Sequence, residues 1–291
     1  MIMKVLSIKS RDLWPAWAIM VLALLLPMKA NADIQLKFGV YTSDKPSEMV
    51  KSFRPILNAI ESGLANRLGE PVKIRMQVAN SYEKGVDDLV SGAVDFARFG
   101  PASYITARES NPDIRILAIE SNKGRKEFNG VICVADNSPL QGMEDLKGKR
   151  FAFGNERSTI GRYLSQLYMQ EHGIRAGDLA AYEYLERHDT VGAAVAAGQF
   201  DAGALKESTY KKMVDKGSSL RAIATFKNVT KPWIARSGMP DRVFENLQAV
   251  LLGMDDPDAL KALKKDGFLA GADADYAVIR TAMQQNPRFF E

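Results

Sequence analysis

Two kinds of apolar spacing take turns along this chain, and their alternation restricts the fold more than any other feature. Leu36, Phe38 and Val40 alternate with polar or small neighbours, as one face of a strand does. Val50, Phe53, Leu57, Ile60 and Leu64 then recur at helical spacing until Gly69-Glu70-Pro71 stops them. Val72, Ile74, Met76 and Val78 alternate again, a second helix is expected over Lys84 to Ser91, and Phe96 with Ala97 opens another strand. A β-α-β-α-β order implies a parallel sheet flanked by helices. Such sheets bind ligands at the carboxyl ends of their strands, here Tyr41 to Ser47, Ala79 to Tyr82 and Phe99 to Ser103.

The order then repeats. Val131 to Val134 and Arg150 to Phe153 read as strands, Gly161 to His172 as a helix stopped by Gly173, and Tyr182 to Leu185 as a further strand. The residues repeat too: Leu89 to Phe96 and Ala196 to Ala202 each end a helix, place a glycine, and follow it three residues later with an aspartate. A glycine stop before a strand is common in α/β chains, but two copies in matching order favour two lobes. Asp95 and Asp201 are expected to be structural, bonding nearby backbone N–H groups. Beyond a short strand at Ala222 to Thr225 come Trp233, expected to pack between lobes, and three helical patterns. These are Val243 to Leu251, a helix capped by Asp256-Pro257, and Tyr276, Ile279, Met283. They are expected to return to the first lobe. The chain would cross between lobes near Asn122 to Gly130 and near Thr225 to Val229, a hinge geometry. The expected division is residues 33–125 with 226–291 for lobe 1 and 126–225 for lobe 2.

Residues 1–32 read as a removed signal peptide: Lys4, Lys9 and Arg11 precede the apolar Trp14 to Pro27 run, and Ala30-Asn31-Ala32 supplies a small-x-small cleavage pattern. No cysteine there accepts a lipid anchor, so a free periplasmic protein is expected; a monomer is expected as well. Four cations leave with one acid, lowering the formal charge from +4 to +1. A nearly neutral chain gives no broad electrostatic case for nucleic acid, so any attraction for anions must be local. Cys133, in an apolar run, reads as a buried small hydrophobe. The sequence shows no Gly-x-Ser-x-Gly elbow, no metal-spaced His or Cys cluster and no phosphate-binding P-loop, so no metal or cofactor is expected.

Within Phe151-Ala-Phe-Gly-Asn-Glu-Arg-Ser-Thr-Ile-Gly161, an apolar run breaks at Gly154 and resumes as the helical pattern Tyr163, Leu164, Leu167, Tyr168. Ser158 and Thr159 thus fall at a helix start, where unpaired N–H groups and the positive end of the helix dipole favour an anion. Either residue can instead simply cap its own helix. Together with Phe38-Gly-Val-Tyr-Thr42, Asp95-Phe-Ala-Arg-Phe-Gly100, Ser103, His188-Asp-Thr190 and Phe200-Asp201, this motif resembles the phosphonate-binding branch of periplasmic ABC-transporter solute-binding proteins. The resemblance implies the two-lobed type II α/β fold, each lobe a mainly parallel sheet flanked by helices, with a small oxyanion held in the interlobe cleft.

Residue by residue, the resemblance carries Ser158, Thr159 and His188 over as oxyanion donors, and Tyr82, Tyr41 and Ser103 as cleft residues. Phe99 stands where the family has tyrosine, and Ile160 replaces a family serine while keeping its backbone N–H. Aminophosphonate binders of this family meet the ligand amine with two acids. Glu207 lies near one of those positions, and Lys231 occupies the other, where a cation would repel an amine and attract a second negative charge. His172, at a helix end, reads as a dipole partner. The function implied is capture of phosphonate, phosphite or phosphate for an ABC permease of the inner membrane, without enzyme chemistry. Alternatives are a sensor docking a membrane histidine kinase, a binding-protein-like dehydratase or hydrolase using His188 with Glu207, and transport of a sulfonate or carboxylate.

Overall fold

The structure is a computed structural model that describes residues 33–42 and 46–291. The expected signal peptide and residues 43–45 of the first strand-end loop lie outside the described residues. The chain opens as expected with β1 (Ile34–Tyr41), α1 (Pro46–Leu68), β2 (Val72–Ala79), α2 (Tyr82–Val90) and β3 (Phe96–Arg98), β1 running parallel to both β2 and β3. α3 (Pro101–Ser110) and β4 (Arg115–Glu120) follow. A second sheet is built from β5 (Glu127–Ala135), β6 (Arg150–Phe153), β7 (Ala181–Tyr184), β8 (Ala202–Lys206) and β9 (Leu220–Val229). Its helices are α4 (Ser165–Glu171), α5 (His188–Ala196) and α6 (Glu207–Asp215). The chain then rejoins the first sheet as β10 (Pro232–Ala235), and continues through α7 (Asp241–Leu252), α8 (Pro257–Leu263), β11 (Phe268–Leu269) and α9 (Ala277–Gln285).

Both sheets are mixed, where mainly parallel ones were expected. Their orders are β11-β4-β10-β3-β1-β2 and β7-β6-β8-β5-β9, and only β2-β1-β3 and β7-β6-β8 are parallel. The cause is the way the chain changes sheets. It leaves the first sheet after Glu120 and returns at Pro232, which pairs opposite Ile119, so β10 must run back along β4. On the other side, Glu127 pairs with Val229, so β9 must run back along β5. The second crossing therefore sits at Thr230 and Lys231, later than expected, because β9 pairs with β5 over its whole length.

The glycine–aspartate repeat builds matching clamps. Lys37 N, within β1, donates to Asp95 Oδ2 at 2.8 Å, and Arg150 N, at the start of β6, donates to Asp201 Oδ2 at 2.8 Å. Gly92 and Gly198 before them hold φ of 77° and 71°, left-handed values that suit glycine. Trp233 is fully buried in the first-sheet core, its ring 4.9 Å from that of Phe38, and does not pack between sheets. Its place in β10, flanked by β3 and β4, turns it toward Phe38 and Phe96.

α7 and α8 return to α1, burying Leu247, Val250 and Leu263 against Ile60 and Leu64. The last helical pattern does more than return. Tyr276 packs at a tilt against Tyr104 of α3, their rings 5.0 Å apart, while Phe289 packs edge-on against Phe153 of β6 at 5.8 Å. Buried Asn286 donates to Gln166 Oε1 at 2.7 Å. α9 and the tail thus bridge both sheets, because their apolar face, Tyr276, Ile279, Ala282 and Phe289, continues past the end of the first core.

Candidate functional site

β6 stops at Phe153, and the next helix packs back on the strand end through glycine. A Cβ on Gly161 would lie 2.7 Å from Gly154 Cα, and one on Gly154 would lie 3.0 Å from Gly161 Cα, so side chains at either position would push the helix start away. The helix begins as a π-helical turn, Thr159–Leu164, before α4. Ser158 caps it, its hydroxyl oxygen accepting from Gly161 N at 2.9 Å, so the capping role is realised. An accepting hydroxyl still has its own proton to donate. Thr159 reaches across to the first-sheet side, where its hydroxyl oxygen accepts from Ala102 N, in the first turn of α3, at 2.9 Å.

The facing wall comes from the strand ends of the first sheet. Tyr41 lies flat between two rings, 3.9 Å from Tyr82 and 5.2 Å from Phe99. Its phenol oxygen accepts from Gly100 N at 2.7 Å and bonds Ser103 Oγ at 2.9 Å. Burial pushes the Tyr41 phenol up from its ordinary value, against the opposing pull of these bonds and of Arg98. His188 is the first residue of α5 and buried. The turn before it holds Glu186 at φ 62°, a left-handed conformation unusual for a side-chain-bearing residue, and Asn155 braces it by a hydrogen bond to the Glu186 carboxylate.

These residues converge on a small cavity of about 20 Å³ lined by Tyr41, Tyr82, Ser158, Thr159, Ile160, His188 and Lys231, joined by Gly100, Pro101, Phe128, Lys206 and Asn228. Phe128, Lys206 and Lys231 also line an adjoining cavity of about 710 Å³, whose wall carries nine Lys or Arg and four Asp or Glu. Of the ten residues expected in the site, seven line the small cavity. Phe99 and Ser103 stand behind Tyr41 and hold it. Glu207 faces the larger cavity, paired with Lys211 at 2.6 Å, and does not line the small one.

The larger cavity is floored by Glu120, fully buried at the end of β4. Burial alone would raise its carboxyl, but Arg98 and Lys265, with Lys231 beyond them, hold it down to about 2. Arg98 grips it with two bonds of 2.6 and 3.0 Å, Lys265 lies 3.6 Å away, and Trp233 Nε1 donates at 3.3 Å. Lys231 is therefore a half-buried charge between two cavities rather than a solvated lysine.

Sequence reasoning missed Lys206, Phe128 and Asn228. Lys206 ends β8, a strand parallel to β6, where the carboxyl-end rule would have found it. Phe128 and Asn228 pair opposite one another on β5 and β9, and nothing local in the sequence marks them. His172 caps α4, its Nδ1 2.7 Å from the Tyr168 carbonyl, and Cys133 is a free, buried thiol pushed up to about 12 by burial, both as expected. Among the described residues no group of three or more His, Cys, Asp or Glu could hold a metal ion, and no helix is long and apolar enough to cross a membrane. Hydroxyl, imidazole, ammonium and amide groups meeting in one buried space suit an anion with several acceptor oxygens.

The ABC-transporter phosphonate periplasmic substrate-binding family matches residues 38–276, which span both sheets. The probable ABC transporter phosphite binding protein of Prochlorococcus marinus (strain MIT 9301) is 28% identical over 246 residues, 79% of this chain and 80% of that protein. A putative aliphatic sulfonates-binding protein of Escherichia coli (strain K12) is 26% identical over 193 residues, 64% of this chain and 56% of that protein. The solved structure of PhnD1 from Prochlorococcus marinus (MIT 9301) in complex with methylphosphonate shares the fold, with a TM-score of 0.76 at 23% identity over 86% of this chain and 97% of that one. From the family match and the shared fold together, this chain belongs to the periplasmic substrate-binding proteins of phosphonate ABC transporters.

Proposed function

We propose that the protein captures a small phosphorus oxyanion, a phosphonate, phosphite or phosphate, at the small cavity where it adjoins the larger one, and presents it to an inner-membrane ABC permease without chemical change. The observation that carries this reading is the meeting of Ser158, Thr159, His188, Tyr82, Lys206 and Lys231 around one buried space at strand and helix ends of both sheets. The two sheets act as lobes, divided near residue 125 and again after Val229, so that β9 stays whole. Export by the N-terminal segment delivers the chain to the periplasm. Closure is supported by bonds that span the two sides: Thr159 with Ala102 at 2.9 Å, Arg157 with Glu83 at 3.0 Å, and Lys212 with Glu48 at 2.5 Å.

Titration calorimetry on the mature chain with phosphate, phosphite, methylphosphonate and methanesulfonate tests this reading. Ser158→Ala with Thr159→Ala is expected to weaken binding of the phosphorus ligand by about 2 to 4 kcal/mol, the worth of two bonds to a charged group. Unchanged affinity in the double variant would refute the site. A second reading, sulfonate transport, is favoured by the Escherichia coli relative, and selective binding of methanesulfonate would establish it in place of the first.

A further inference from the structure

Asn228 is a buried amide in an unexpected place. It sits near the end of β9, opposite Phe128, with 3% of its surface exposed, and it lines the small cavity. Neither Nδ2 nor Oδ1 reaches a protein partner. An apolar residue would serve the strand pair there without stranding two polar atoms, since a buried amide without bonds is destabilising.

The rest of that wall is rich in donors. The Ser158 and Thr159 oxygens already accept backbone N–H groups, which leaves their protons to give, and Lys206 and Lys231 are cations. The Tyr41 oxygen is taken up by Gly100 and Ser103. Asn228 supplies the side-chain carbonyl on this wall, among the residues that line it. Whichever way the amide is turned, it brings one donor and one protonless acceptor.

A protonless acceptor repels a bare oxyanion oxygen and welcomes an O–H. Phosphonate, phosphite and phosphate monoanions carry a P–O–H; a sulfonate carries only acceptor oxygens. We propose that Asn228 is a specificity residue that reads a protonated phosphorus oxyanion, Nδ2 donating to one ligand oxygen while Oδ1 accepts the ligand's P–O–H, so that the site selects against sulfonates. This rests on the oxyanion reading of the small cavity given above, and adds the protonation state and the excluded class.

The test compares wild type with Asn228→Leu by titration calorimetry, using methylphosphonate and methanesulfonate from pH 5.5 to 9. Wild type is expected to lose methylphosphonate affinity as pH rises through the ligand's second ionisation. Asn228→Leu is expected to bind methylphosphonate at least tenfold more weakly at low pH, to flatten that pH profile, and to change methanesulfonate affinity less than threefold. Equal weakening of both ligands, or an unaltered pH profile, overturns the proposal. His188, Lys206 and Lys231 line the same cavity, so the profile is also measured in His188→Gln, where the imidazole no longer titrates, and that profile decides if wild type gives no measurable sulfonate signal. Asn228→Ala, smaller than the native side chain and without polar side-chain atoms, carries the same comparison if the leucine variant fails to fold. Wild type that binds none of the phosphorus ligands fails the oxyanion reading instead, which separates the two outcomes.

Discussion

Lys231 stands at the junction of the two cavities, close enough to Glu120 to help hold that carboxyl ionised. An ammonium here opposes a ligand amine and favours a ligand whose substituent is neutral or negative. Lys231→Asp is therefore expected to raise affinity for 2-aminoethylphosphonate relative to methylphosphonate at least tenfold, about 1.4 kcal/mol, with Lys231→Gln intermediate. Competition calorimetry between the two ligands checks this, and an unchanged ratio would remove Lys231 from ligand choice. The helix start that carries Ser158 and Thr159 was legible in the sequence because it follows a strand end, and that geometry is local; His188 was reached only through the family resemblance. Asn228 was not legible. Its neighbours Lys227 and Val229 read like any edge strand, and its burial arises only from pairing with Phe128, about a hundred residues earlier.

The turn from β6 into the π-helical segment is the element on which the proposed oxyanion site depends. Two facing glycines, Gly154 and Gly161, let backbone lie on backbone where the π-helical turn begins. Gly161→Ala is expected to cost about 1 to 3 kcal/mol of stability and to abolish tight oxyanion binding, because the new methyl must displace Gly154 or Ser158. Gly177→Ala, where a Cβ meets nothing within 4 Å, is the control and should stay within about 0.5 kcal/mol of wild type. Thermal melts with ligand titrations read both. The strands of the parallel trios, the glycine stops and the Asp95 and Asp201 clamps were visible in the sequence, since each is a short-range pattern. β4, α3, β11 and the full length of β9 were not, because their limits are set by partners far along the chain. Their own spacing does not fix them.

Across the whole molecule, Glu120 gathers groups from distant segments: Arg98 of β3, Trp233 of β10 and Lys265 beyond α8. Its folded value of about 2 lies below the ordinary 4.5, so ionised Glu120 contributes stability that is fully present above about pH 4.5. That contribution is lost as pH falls toward 2, and amounts to about 3 kcal/mol. Denaturant melts from pH 6 to pH 2.5 should show a steeper acid loss in wild type than in Glu120→Gln, which starts less stable. Parallel curves would contradict the assignment. The bridging tail carries a mechanical consequence. Two adjacent crossings join the halves of the molecule, and the tail joins them a third time: Tyr276 packs near Tyr104 and donates to the Thr230 carbonyl at one crossing, while Asn286 reaches Gln166 of α4 and Phe289 reaches Phe153 of β6. A third attachment resists a swing about the two crossings alone. In the opening that the proposed capture requires, either Asn286 and Phe289 leave α4 and β6 or the chain between Leu269 and Tyr276 flexes, and whichever yields first fixes how far the mouth travels.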